Sequence, residues 1–243
     1  MSAPAPRGLV AGIEPFSAVD GPGNRFVLFL QGCDFDCLAC HNPHTIPRTA
    51  PEARPMRVDE VLTELAGAAP FVSGVTVSGG EATLQARFVR ALFEALTSDG
   101  RFAGLSRFVD THGAVPSSVW DMLEPAMDGA LVDLKALDQR VHLRLTGRSN
   151  ALVLRSIERL ASRGKLVEVR LLIVPGRNDD PVLLARTAAY LRGIDPALRV
   201  QLTGFRRHGV RVSARNLPEP SPDGMAAHAA TLRAAGLERV VVV

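Results

Sequence analysis

The sequence predicts an α/β fold in which a parallel sheet is covered by helices, and three observations predict it. Short apolar runs alternate with amphipathic stretches through about six β/α units over roughly 220 residues. The strand-like runs are apolar on both faces, as strands covered on both sides must be. Polar residues collect at or just beyond the C-terminal ends of those runs, which is the edge where parallel α/β folds carry their chemistry. An open doubly wound sheet and an incomplete barrel would both produce this alternation, and periodicity alone does not separate them.

The elements follow in order. Residues 1–24 are rich in Pro, Ala and Gly and are expected to form an irregular N-terminal arm. RFVLFLQG then reads as a buried strand, VDEVLTELAGAA as a helix, GVTVSGG as a strand, and LQARFVRALFEALTSDG as a helix closing on Gly100. SRFVDTHG and GALVDLKAL look like strands, while VPSSVWDMLEPAM and residues 149–163 look like helices. LVEVRLLIVPG is a further strand. In GRNDDPVLLARTAAYLRG, Asp180 is the N-cap and Pro181 takes the first helical position, where a missing N–H costs nothing. RVQLTGF is the next strand. Residues 206–222 form an Arg- and Pro-rich loop, and residues 223–243 a C-terminal helix and short strand. No internal repeat interrupts the pattern, and residues 1–243 read as a single domain.

Composition narrows the function. Hydrophobic residues make up 47% and aromatics only 5%, so the interior is built mainly from Ala, Val and Leu. Lys plus Arg number 28 against 25 Asp plus Glu, an excess of +3 that does not by itself argue for nucleic acid. Arg206, Arg207, Arg211 and Arg215 could form a basic patch, but a solvated loop is the expected reading. The first residues lack the apolar core of a signal peptide, and no run approaches the ~18 apolar residues of a membrane span, so a cytoplasmic protein without membrane attachment is expected.

The three cysteines, Cys33, Cys37 and Cys40, lie within eight positions in QGCDFDCLACHN, directly after the first strand. Three cannot all pair, and their crowding argues for a metal or redox site over a disulfide framework. C-x3-C-x2-C lets three thiolates from one loop converge on one centre, with Gly32 permitting the turn into it. A [4Fe-4S] cube needs four ligands, so three cysteines with no other in the chain leave one iron able to bind something external. The alternative is structural zinc, with His41 or His44 as fourth ligand.

The loop and its surroundings, VDGPGNRFVLFLQGCDFDCLACHNPHT, resemble the radical S-adenosylmethionine (SAM) superfamily and, within it, the activating enzymes of glycyl radical enzymes of the pyruvate formate-lyase activase type. TVSGGEATLQ, VDTHG, LVDLKALD, HLRLTGRSN and VRLLIVPGRNDD fit the same pattern in order, over roughly residues 17–209. The resemblance implies a partial (β/α)6 TIM-type barrel. It implies one [4Fe-4S] cluster on Cys33, Cys37 and Cys40, and SAM held near Ser78, Gly79, Gly80 and Glu81, whose backbone suits an ammonium donor. It further implies Asp110, Thr111 and Asp133 near the methionine carboxylate and a monovalent cation. Lys135 shares the strand edge with Asp133. Arg170 lies mid-strand in an apolar run, where it should pair with a carboxylate or a ligand. The chain departs from the pattern at QLTGFRRHG, where Arg206 stands opposite the family's histidine with His208 nearby, and at His112, where the family has asparagine.

The implied activity is reductive cleavage of SAM at the cluster and removal of a hydrogen from a glycine of a partner enzyme, with an electron donor such as flavodoxin or ferredoxin. The protein is expected to be an oxygen-sensitive monomer that acts on no nucleic acid. Two other readings stay open from the residues alone: a radical SAM enzyme acting on a small molecule or peptide, and a zinc-stabilised binding module.

Overall fold

The computed structural model describes residues 6–243. Packing groups them into two compact units. The first comprises residues up to 34, then 44–111 and 115–130; the second comprises residues 35–43, 112–114 and 131–243.

In the first unit, β1 (Arg7–Ser17), β2 (Arg25–Leu30), β3 (Arg54–Arg57), β4 (Gly74–Gly79) and β5 (Ser106–Thr111) lie in the order β3-β1-β2-β4-β5. From β2 onward the pairing is parallel and in register, with Phe26 opposite Val75 and Leu30 opposite Gly79. The two-faced burial expected of such strands is present: Phe26, Val27, Leu28 and Leu30 are fully buried. The helix α1 (Val58–Ala68) and the helix α2 (Ala86–Ser98) cover this sheet segment, followed by α3 (Ser117–Leu123). On α2 the side chains of Phe88, Val89, Leu92, Phe93 and Leu96 are buried, a helical stripe in which each contributes about 1.5–3 kcal/mol of transfer free energy.

The expected irregular arm over residues 1–24 is corrected. Residues 1–5 lie outside the described residues, but Arg7–Ser17 form a strand antiparallel to both β2 and β3. Its composition disguised it for a physical reason. A β-carbon at Gly8 would stand 2.3 Å from the Phe88 ring, so glycine is what lets α2 pack there. Glu14, Pro15 and Phe16 are exposed and need no apolar alternation.

Arg25, fully buried at the start of β2, ties three strands together. Its guanidinium donates to Thr76 Oγ1 (3.1 Å), Ser106 Oγ (2.7 Å) and the carbonyls of Val75 (2.8 Å) and Ser106 (3.0 Å), and it lies over the Phe108 ring. Burial, only partly opposed by the charge of Asp128, lowers it to about 10.

In the second unit, β6 (Gly129–Asp133), most of which belongs here, is followed by β7 (Leu166–Ile173), β8 (Arg199–Gly204) and β9 (Arg239–Val242) in the order β6-β7-β8-β9. The β7-β8 and β8-β9 pairs are parallel. The helices here are α4 (Gln139–Thr146), α5 (Ala151–Ser162), α6 (Pro181–Ile194) and α7 (Pro222–Ala234). Asp180 caps α6 as expected, its Oδ1 accepting from Leu183 N at 2.9 Å, with Pro181 opening the helix. The helix α4 was not legible in the sequence because it is only eight residues long. It is fixed by its ends: Asp138 Oδ1 accepts from Arg140 N and Val141 N, and Gly147 closes it at φ +72°.

The class is the one expected, a mostly parallel α/β sheet with helices that does not close, as in an incomplete (β/α) barrel. Among the described residues no helix is long and apolar enough to cross a membrane.

Candidate active site

The predicted residues of the first unit meet at the C-terminal ends of β2, β4 and β5. The chain leaves β4 through Gly79 at φ +117°, and a β-carbon there would lie 2.2 Å from the backbone N and O of Leu30. At Gly80 a β-carbon would come within 2.3 Å of the Gly32 carbonyl oxygen and 2.7 Å of that of Thr45. The two glycines therefore let the end of β4 touch the start of the cysteine loop. Gly80 N donates to Leu30 O and Glu81 N to Gly32 O, both at 2.8 Å, while Gly32 N donates to Thr45 O and Cys33 N to Ile46 O.

Glu81 is buried, and one carboxylate oxygen accepts from Thr83 N (3.0 Å), Thr83 Oγ1 (2.5 Å) and Thr111 Oγ1 (2.6 Å). It thereby ties the turn after β4 to the end of β5. Asp110, one residue earlier on β5, accepts from Ser78 Oγ at 2.8 Å. Ser78, Gly79, Gly80, Glu81, Asp110 and Thr111 are thus brought together, with backbone groups and neutral hydroxyls around two carboxylates.

The predicted residues of the second unit are organised by charge. Lys135 donates to Asp133 Oδ2 at 2.6 Å. Burial would lower Lys135, but the charge of Asp133, the thiols of Cys37 and Cys40 and the Asp133 hydrogen bond hold it above its ordinary value. For Asp133 burial acts upward and is outweighed by Lys135, Arg170 and His112, so its carboxyl sits below the usual range. Asp133 therefore carries a counter-ion of its own in Lys135. Arg170, part-buried on β7, finds a carboxylate. Its Nε lies 2.8 Å from Glu168, whose other oxygen takes Arg199 Nε at 2.5 Å.

Cys37 and Cys40 sit in the same unit, with Cys40 N donating to Cys37 O (3.3 Å) and Leu38 N to Leu145 O (2.8 Å). All three cysteines are half-buried thiols. Cys33 is four positions before Cys37, so chain length alone keeps their Cα atoms within about 14 Å. Lys135 and Arg211 both feel Cys37 and Cys40, and cations beside a thiolate stabilise it. Three thiols on one short loop, two of them beside cations, fit an anionic metal cluster.

Arg206 is exposed, but its backbone carbonyl lies 3.1 Å from Nε2 of His41, the residue after the last cysteine. Burial pushes His41 downward, the Arg206 carbonyl opposing it. His208 and His44 are exposed.

Residues 206–222 are not a merely solvated loop. Val210 and Ala214 are buried with Ala39, Val174 and Phe205, and Arg211 pairs with Asp36 at 2.6 Å. The sequence reading missed Asp36, His41 and Arg211 as supports of the loop, since about 170 residues separate the partners and no local signal joins them. Asn178 was also missed as a support, although it lies in the GRNDD segment. It donates to the carbonyls of Lys135 (2.9 Å) and Leu172 (2.7 Å) and accepts from Val174 N, tying β6 to β7.

A second unforeseen feature is an aromatic stack on the cysteine loop. His112 stacks on Phe35 with ring centroids 3.9 Å apart and 9° between planes, and His142 of α4 meets the same ring edge-on at 5.9 Å. His142 is fully buried, and the Ala136 backbone is the polar group that favours its protonated form. Burial drives it down to about 4.

Residues 27–188 match the family model of the radical SAM superfamily. The chain is 32% identical over 214 residues to the pyruvate formate-lyase-activating enzyme of Staphylococcus epidermidis, covering 84% of this chain and 83% of that one. Among solved structures, a domain of the pyruvate-formate lyase-activating enzyme from Bacteroides vulgatus superposes with a TM-score of 0.57 at 24% identity, covering 70% of this chain and 99% of that one. A radical SAM methyltransferase from Sphaerobacter thermophilus superposes with a TM-score of 0.71 at 18% identity, covering 90% of this chain and 66% of that one, a likeness of fold.

Proposed function

The chain belongs to the radical SAM superfamily and, within it, to the family of pyruvate formate-lyase-activating enzymes, and from that premise we propose that it generates a glycyl radical on a partner enzyme. The observation that carries this reading is the C-x3-C-x2-C loop at the end of β2 in a chain with no fourth cysteine. Cys33, Cys37 and Cys40 would hold three irons of a [4Fe-4S] cluster and leave the fourth to SAM. When bound, the pair supplies one-electron cleavage of the S–C5′ bond, releasing methionine and a 5′-deoxyadenosyl radical that can take the α-hydrogen of a glycine.

The chain's own residues bind, orient and exclude water. The backbone edge from Ser78 to Glu81 offers carbonyls to an ammonium group. Asp110, Thr111, Asp133, Lys135 and Arg206 are the proposed neighbours of SAM and of a monovalent cation. The buried Glu81 acts on Thr111 through its hydrogen bond, and the part-buried Arg170, paired with Glu168, acts on Asp133 through its charge. The reading includes a flavodoxin- or ferredoxin-like electron donor, a monomeric state and a cytoplasmic location.

The test is anaerobic reconstitution of the full chain, followed by dithionite reduction with SAM and a pyruvate formate-lyase partner. Four irons per chain, 5′-deoxyadenosine release and a glycine-centred doublet in electron paramagnetic resonance are expected. SAM cleavage without that doublet on any glycyl radical enzyme would remove the activase assignment, and a colourless zinc protein would remove the whole reading.

A further inference from the structure

The loop of residues 35–43 is gripped by a distant segment, and one donor in that grip has no acceptor among the described residues. Phe205, Val210 and Ala214 pack on Ala39, between Cys37 and Cys40. His41 meets the Arg206 carbonyl, and Gly209, at φ +79°, lies so close that a β-carbon would stand 2.9 Å from the His41 carbonyl oxygen. Within this contact Arg211 uses one terminal nitrogen on Asp36, the residue immediately before Cys37. Its Nε is buried and has no hydrogen-bond partner among the described residues. A buried guanidinium N–H without an acceptor costs about 1–3 kcal/mol, so its persistence calls for an acceptor that arrives later.

We infer that Arg211 is a positioning residue that tunes the reduction potential of the cluster, its Nε–H donating to a sulfur of the Cys37 and Cys40 side of the bound cluster. The inference rests on the cluster reading above. Asp36 fixes the guanidinium, and the Val210 and Ala214 contacts fix the backbone that carries it, so the donor is held in place before the cluster binds. The cation lies close enough for both thiols to act on it, in addition to the larger effect of the Asp36 hydrogen bond. Reduction adds one electron to an already anionic centre, so a nearby cation and an N–H donor to sulfur stabilise the reduced form more than the oxidised form. The electron comes from the external donor named above, and no bond within the protein breaks.

The experiment is a redox titration of the reconstituted full chain without SAM, followed by electron paramagnetic resonance, for the unaltered protein, Arg211→Met and Arg211→Lys. Arg211→Met is expected to lower the reduced-to-oxidised ratio at fixed potential about tenfold, a shift of about 59 mV to more negative potential. Arg211→Lys keeps the charge but lacks the Nε–H, so it should fall between the two. Iron and sulfide are measured on every sample. Four irons with an unchanged midpoint in both variants would overturn the inference and leave Arg211 as a clamp only. Should Arg211→Met not retain iron, Arg211→Lys decides alone: a midpoint equal to that of the unaltered protein overturns the inference. Failure of the unaltered protein to bind iron would instead strike the cluster reading.

Discussion

The two units hold their predicted site residues by different means. In the first, glycine geometry and neutral hydroxyls do most of the holding: Gly79 and Gly80 admit close backbone approach, and Glu81 accepts from two threonines. In the second, opposite charges meet: Lys135 with Asp133, Arg211 with Asp36, and two arginines on Glu168. The difference teaches that the first group is vulnerable to added volume and the second to lost charge.

Gly79→Ala probes the first group most severely. It places a β-carbon against the Leu30 backbone at an unfavourable φ, and a loss of about 4 kcal/mol in urea unfolding is expected. A loss under 1 kcal/mol would show that the close approach is not required. Glu168→Gln is the matching probe of the second group. Removing one carboxylate from between two part-buried arginines should cost about 3 kcal/mol by the same measurement. Were Glu168→Gln neutral, the distinction between the groups would fail.

His142 sharpens the contrast with a pH signature. Its folded value lies near 4, below the ~6.5 of an exposed histidine, so the folded state binds fewer protons than the unfolded chain. The corresponding stability is fully present above pH ~6.5 and is lost as pH falls toward 4, by at most about 3 kcal/mol. In His142→Phe that part of the acid slope should vanish from melts recorded between pH 7 and pH 4.

Glu81→Gln keeps the shape and removes the charge. It should cost about 1–2 kcal/mol, less than Gly79→Ala, because the oxygen can still accept from the threonines. The exposed Arg90–Glu94 pair on α2 sets the floor, with Arg90→Ala changing stability by about 0.5 kcal/mol or less.

Much of the fold was legible because buried parallel strands must be apolar on both faces, as in β2, β4 and β6. The cysteine loop was legible because its ligands are close in sequence. The Asp180 cap was read from a local rule that the structure obeys. What escaped were elements whose reasons lie elsewhere in the chain. The strand β1 hides its register behind a glycine that only Phe88 explains. Lys135 was seen beside Asp133, but their mutual neutralisation in a half-buried setting was not. The Asp36–Arg211 contact spans 175 positions and leaves no periodic trace.

That long reach bears on the order of events at the ribosome. Asp36 and His41 emerge early, yet their companions Arg206 and Arg211 lie 165 and 175 positions downstream. At about 5–20 residues per second, the cysteines wait roughly ten to thirty seconds for this support. A nascent chain stalled before residue 205 would accordingly hold the cysteine loop through Thr45, Ile46 and Leu145, without the Arg206 and Arg211 contacts that complete its support.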